Sequence, residues 1–185
     1  MKVIFFIALA LLGPIKHCFV QDLILTPVGN QSLMVGDTVF DIVFFNAINY
    51  PLGPTARPND FTRELVILDF RATWYMASIP KQDTLQQQLK DKVAFILVNS
   101  ITGTLDSSCK VDAFFNHATT FRLITIIENR AARKLFHIYF SHYVGISPGR
   151  TILAITNEEA ITKRSIQVAL HDNRIGIPKK IDRQG

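Results

Sequence analysis

Apolar and polar positions divide the middle of the chain into segments of different period. Residues 64–70 (ELVILDF) carry a near-continuous apolar run, the pattern of a strand covered on both faces. Residues 93–98 (VAFILV) repeat it. From Met76 to Lys92 the pattern turns helical: Ile79, Leu85 and Leu89 fall on one face, while Lys81, Gln82, Gln86, Gln87 and Lys90 suit a wet face. Pro80 is expected to kink this helix or limit its first turn. Strand, helix and strand make a right-handed βαβ unit with parallel strands.

Further along, residues 111–119 are a helix candidate and residues 123–127 (LITII) a short strand. Residues 129–136 read as a short helix with an Asn cap and a basic last turn. Residues 142–146 and 151–155 are two strands joined by the turn Ser147-Pro148-Gly149-Arg150. Residues 162–171 fit an amphipathic terminal helix with Ile166, Val168 and Leu170. Upstream, residues 34–46 have strand composition with a turn at Gly36-Asp37, and residues 23–30 form an extended lead-in. Pro51, Gly53, Pro54 and Pro58 mark residues 50–59 as a surface loop. The order βαβ then ββα specifies an α/β domain: a central mixed sheet flanked by helices, with an N-terminal β extension. No internal repeat or second domain is visible.

The 185 residues suit one domain with a full-sized core, and with 48% hydrophobic and 19% charged residues global disorder is excluded. Lys2 precedes an apolar run from Val3 to Leu12, too short to span a bilayer, which takes about 20 apolar residues. Gly13 and Pro14 then interrupt it, as in a secretory signal. Cleavage before Gln21 lacks an A-x-A triplet, and Cys18 lacks the sequence context of a lipoprotein cysteine. An uncleaved anchor, with membrane contact, therefore stays open beside the expected cleaved signal. The expected organisation is a signal over 1–20, a lead-in over 21–32, the folded domain over 33–178 and a basic tail over 179–185. Export to the periplasm or cell envelope is the expected location. Removing the signal takes away Lys2 and Lys16 and lowers the formal charge from +5 to +3, too little to argue for nucleic-acid binding. The mature chain keeps only Cys109, so an intramolecular disulfide is excluded.

The stretch LVILDFRATWYMASIP (65–80) resembles the active-site opening of the thioredoxin-like superfamily, in particular exported TlpA/ResA-type thiol–disulfide oxidoreductases. Their motif there is close to DFWATWCxxC followed by a proline. Asp69, Phe70, Ala72, Thr73, Trp74 and Pro80 match it, but Tyr75 and Ser78 stand at the cysteine positions. Residues 33–51 resemble the family's N-terminal extension, with Phe40 in place of a proline. Residues 133–146 and 154–170 are similar to a Bacteroidetes-type subgroup. The resemblance covers about residues 33–178 and implies a thioredoxin-like fold of the redoxin-related kind, without a cofactor.

In that family the first cysteine attacks a substrate disulfide as a thiolate and the second resolves the mixed disulfide. A phenol at Tyr75 cannot form a disulfide, and Ser78 needs a neighbouring base to become nucleophilic. The resemblance also places Ser141 at the cis-proline position, where a trans Phe140–Ser141 bond is expected. Arg71 stands for a tryptophan and Gly145 for another aromatic, both expected near the same end of the sheet, the carboxyl end of the strand over 64–70. Asp69 matches a buried acid that assists the second cysteine. Here it is expected to pair with a polar neighbour, a water or Lys92, or to carry a raised pKa. The expected reading is a degenerate, redox-inactive member, with Trp74, Tyr75, Phe140 and Ser141 as a face for a peptide or protein partner.

Alternative chemistries are weaker. Cys109, expected in the loop before a helix, is a candidate lone thiol for a monothiol oxidoreductase. His117, His137, His142 and His171 lack a zinc spacing, so no metal site is expected. A hydrolase triad of Ser78, His142 and Asp69 has no nucleophile-elbow pattern behind it.

Overall fold

The computed structural model describes residues 33–40, 42–61, 65–75, 77–99, 101, 105–117, 121–127, 136 and 142–172. The expected signal, the lead-in, the basic tail, residues 129–135 of the helix expected over 129–136, His137, Phe140 and Ser141 lie outside them.

The apolar run in the middle of the sequence forms β4 (Leu65–Arg71), whose seven residues are all buried. A strand whose two faces are both apolar has to be covered on both, and it is. Helix α1 (Ile79–Gln88) follows, then the equally buried β5 (Val93–Asn99), which pairs with β4 in parallel from Leu65↔Val93 to Arg71↔Asn99. Helix α2 (Ser108–His117) leads to β6 (Ile124–Ile127), parallel to β5. The antiparallel hairpin of β7 (His142–Ile146) and β8 (Ile152–Thr156) docks beside β4, and α3 (Lys163–Asp172) closes the described chain. Short N-terminal strands β1 (Phe44–Phe45), β2 (Ala47–Ile48) and β3 (Thr55–Ala56) complete the set. The main sheet is mixed, in the order β2-β6-β5-β4-β7-β8.

Alternation along β4 divides the core. Val66, Leu68 and Phe70 face one side with Val39, Ile42, Phe44, Phe61 and Phe136. Leu65 and Ile67 face the other, against Ile79, Leu85 and Leu89 of α1, Val111 and Phe115 of α2, and Ile166 of α3. Among the described residues the N-terminal extension and Phe136 therefore cover one face of the sheet while α1, α2 and α3 cover the opposite one.

Three expectations change, for the loop over 50–59, the strand over 34–46 and the place of Gly145, while Pro80 takes one of its two expected roles. The loop over 50–59 contains β3, which pairs with β1. The strand expected over 34–46 is mostly irregular: a turn at Gly36 (φ +98°) and a single bridge, Thr38 to Thr151, precede β1. Pro80 does not kink α1. It lies in the first turn, where no intrahelical N–H bond is lost, and so limits the helix start. Gly145 sits opposite Ile67, in the middle of β4, not at its carboxyl end. A Cβ there would meet Ala154 Cβ at 3.9 Å, so packing does not demand glycine.

Candidate functional site

The period-2 alternation that points Leu65 and Ile67 at the helices also points Asp69 and Arg71 there, at the carboxyl end of β4. Two opposite charges thus enter the core one same-face step apart. Arg71 is 1% exposed, the largest of the fully buried side chains. Its Nη2 donates to Ser78 Oγ (2.9 Å) and to the carbonyl of Tyr75, and its Nη1 lies 3.6 Å from Asp69 Oδ2.

Gln82 completes the cluster from α1. Its Nε2 is 2.8 Å from Asp69 Oδ2, 2.8 Å from the Tyr143 hydroxyl and 3.2 Å from Ser78 Oγ. With only two hydrogens, the amide serves the two nearer oxygens. Burial pushes the Asp69 carboxyl above its ordinary pKa, although the Arg71 charge and the Gln82 bond pull it down. Burial and the Asp69 charge push the Tyr143 phenol up in turn. The partners expected for Asp69 were water or Lys92. The structure puts Lys92 at the other end of the strand, its carbonyl accepting from Leu65, because strand direction separates it from Asp69.

Gln82 was expected on the wet face of α1 and is buried. Ile79, Gln82 and Leu85 recur every third residue, so the apolar face carries the glutamine with it. Gln86 is half-buried too: it donates to the Val93 carbonyl and accepts from the Phe95 N–H, stitching α1 to β5.

Beyond β4 the chain turns outward, and Asp106, just before α2, holds the turn. Its carboxylate accepts from the Thr73 N–H (2.5 Å) and the Thr73 hydroxyl, and pairs with Lys110 at 3.2 Å. Burial works to raise the Asp106 pKa, but the Thr73 bonds and Lys110 outweigh it and hold the carboxyl below its usual range. Asp106→Ala is expected to cost about 1–3 kcal/mol, since it strands the buried Thr73 donors. Because the folded pKa is depressed, this contribution is present above the unfolded value of about 3.9 and is lost as pH falls. Urea unfolding at pH 7 and pH 3 should show a gap between wild type and variant at pH 7 that narrows at pH 3. A gap of equal size at both values would refute the clamp.

Trp74, next to this clamp, is 63% exposed and stacks edge-on against Tyr75 (centroids 6.1 Å apart). Tyr75 is half-buried, and its hydroxyl donates to Glu158 Oε2 at 2.7 Å. Lys81 Nζ donates to the Glu158 carbonyl at 3.3 Å. Ser78 is fully buried at the N-cap of α1. The motif face thus presents an exposed aromatic pair over a closed polar core.

Other candidates are dispersed. Cys109 is exposed and lies inside the first turn of α2 rather than in the loop before it. His142 pairs with Phe70 across the strands, whereas Asp69 pairs with Tyr143. Opposite residues share a face, so the sheet separates His142 from Asp69 and Ser78, and the hydrolase triad is not assembled. Among the described residues no three His, Cys, Asp or Glu side chains gather into a metal-binding group. No described helix is long and apolar enough to cross a membrane. Arg71 as hub of the site was not anticipated, although alternation through LVILDFR already places it on the face of Asp69.

A βαβ unit followed by ββα, with this motif between the central strand and its helix, defines a thioredoxin-like domain. Solved structures agree. The pneumococcal exposed lipoprotein thioredoxin from Streptococcus pneumoniae superposes with a TM-score of 0.57 at 18% identity, over 71% of this chain and 98% of that one. The thioredoxin domain of a thiol-disulfide oxidoreductase from Bacteroides vulgatus gives 0.57 at 15%, over 75% and 99%. A thioredoxin-family thiol:disulfide interchange protein from Chlorobium tepidum gives 0.56 at 13%, over 76% and 99%. No protein-family model matches the chain, and no curated protein does.

Proposed function

We propose that this chain is an exported thioredoxin-like domain in which thiol–disulfide exchange has been replaced by binding of a peptide or protein segment at Trp74 and Tyr75. The observation that carries this reading is the Arg71 guanidinium bonded to buried Ser78. At the two positions where the family keeps cysteines, one side chain is locked under a charge-paired core and the other is tied to Glu158. Neither is a thiol, and among the described residues the carboxylate at Tyr75 is Glu158, while Asp69, in the cluster with Ser78, is itself engaged by Gln82 and Arg71. What the face does offer is exposed aromatic area on a fixed backbone, the kind of surface that anchors a partner. Export rests on Lys2 and the apolar run behind it.

The alternative reading is a monothiol oxidoreductase acting through Cys109. The Asp106–Thr73 clamp favours it to the extent of tying the start of α2, with its exposed thiol, to the motif segment. One assay separates the two: reduction of a protein disulfide by the purified protein, with Cys109→Ser in parallel. The binding reading expects no turnover from either. Wild-type turnover that vanishes in Cys109→Ser would overturn it and establish the monothiol.

A further inference from the structure

The clamp between Thr73 and Asp106 brings a second exposed apolar side chain to the motif face. Among the described residues, five large apolar side chains are more than half exposed. Met34, Phe40 and Leu52 belong to the N-terminal extension, and the other two are Trp74 and Leu105. Trp74 follows Thr73 and Leu105 precedes Asp106, so each stands one residue from the same two hydrogen bonds. Leu105 is 91% exposed although Asp106 beside it is buried. Two Cα–Cα steps, plus the reach of one aspartate side chain and its bond, keep the Cα atoms of Trp74 and Leu105 within roughly 16 Å. An extended segment of about five residues covers that distance.

Area and charge narrow what such a surface holds. A single exposed leucine is ordinary, but here it stands beside an indole on backbone fixed by the same carboxylate. Together the two side chains offer on the order of 300 Å² of apolar surface. A stable protein–protein interface takes about 800 Å² from each partner, so the patch is too small to hold a second copy of this chain by itself. A short segment suits it. The charges tied to the patch are matched where they stand. Lys110 pairs with Asp106 at 3.2 Å, and Lys81 lies against the carbonyl of Glu158, whose carboxylate takes the Tyr75 hydroxyl. Each cation has an acidic residue beside it, which leaves no surplus of either sign to select a charged partner.

We infer that Trp74 and Leu105 together dock a short, uncharged, apolar segment of another polypeptide. This deepens the peptide-binding reading and rests on it: that reading supplies Trp74 and Tyr75, and the clamp adds Leu105 as the second anchor. The segment is held by apolar contact, so its affinity is modest and nearly independent of salt.

Trp74 is the single tryptophan of the chain, so its emission follows occupancy of the surface. The purified protein is titrated with acetyl-Ser-Phe-Ser-Leu-Ser-amide, which carries no charge, and with versions bearing Glu or Lys in place of every Ser. The uncharged peptide is expected to shift the emission saturably, with less than about a twofold change in affinity between about 50 and 500 mM salt. Leu105→Ser, at an exposed position that does not threaten folding, should weaken it by about tenfold. Leu52→Ser removes another exposed leucine, from the N-terminal extension, and should leave binding unchanged. Binding that survives Leu105→Ser in full, or falls equally with Leu52→Ser, overturns the second anchor and leaves the reading at Trp74 and Tyr75 standing. Binding of the Glu or Lys peptide about fivefold tighter, and lost at high salt, overturns the uncharged partner. A dimer of the protein alone in sedimentation equilibrium, dissolved by Leu105→Ser, gives the surface to a second copy and overturns the proposal. No response to any of the three peptides up to about 10 mM overturns this proposal and the peptide reading together.

Discussion

Arg71→Met is expected to lower the unfolding free energy at pH 7 by about 3–5 kcal/mol, the cost of stranding one partner of a buried charge pair. Methionine fills much of the volume, so cavity formation contributes little. The loss comes from Asp69, left fully buried with no cation, and from the Ser78 hydroxyl and Tyr75 carbonyl, which lose their donor. Pairing the change with Asp69→Asn should recover most of the loss. The amide keeps an oxygen for Gln82 to bond and carries no charge, so the double variant should be more stable than the sum of the two single changes allows.

Acidity gives a second handle on the same pair. The folded-state pKa of Asp69 lies above its unfolded value, so its favourable contribution is present in full below about pH 3.9 and is lost as pH rises through the folded pKa. Without Arg71 that folded pKa climbs further. The Arg71→Met deficit should therefore be largest near neutrality and smaller near pH 4.5. Urea unfolding of the four proteins of the cycle at both pH values decides it. A deficit independent of pH, with additive single changes, would mean that the two side chains are not coupled.

Restoring thiols gives the other large effect. In a Cys109→Ser background, Tyr75→Cys/Ser78→Cys is expected to take protein-disulfide reduction from background to measurable turnover. A thiol at 78 inherits the place of the Ser78 hydroxyl beside the Arg71 guanidinium, which stabilises its thiolate and makes it a better leaving group. A thiol at 75 would be half-exposed and relieved of the bond to Glu158. Adding Arg71→Met should reduce the rate again by raising the pKa of Cys at 78. Thiol counting before and after oxidation checks the geometry. If the pair forms an internal disulfide yet reduces no substrate, the binding face rather than the thiols is what has changed. If no internal disulfide forms, the motif itself has closed.

Much of the architecture is legible in the sequence because the central strands are buried on both faces and therefore announce themselves as apolar runs. β4 and β5 emerge within one residue of their observed ends. The hairpin of β7 and β8 follows from its Pro-Gly turn, whereas α1 (Ile79–Gln88) is shorter than the helical pattern from Met76 to Lys92. The short strands β1 and β3 do not show, since two residues give no period and their pairing depends on contact across a loop. Within the site, the motif names its own residues, but their partners are invisible to it. Asp106 reaches Thr73 across 33 positions and Glu158 reaches Tyr75 across 83. Gln82 misleads for a different reason: a polar side chain in an apolar stripe reads as solvent-facing unless the buried acid it serves is already known.

Trp74 owes its position to the innermost part of the sheet. It stands three residues beyond the end of β4, which is flanked by β5 on one side and β7 on the other, and the residue before it is clamped to Asp106. Amides of a strand enclosed in this way exchange with solvent only when the whole domain opens. An aromatic ring that is open to solvent yet sits in a turn clamped close to that strand has less freedom left to lose when something docks on it. A partner's off-rate should then track the fit to the indole rather than the ordering of a loop.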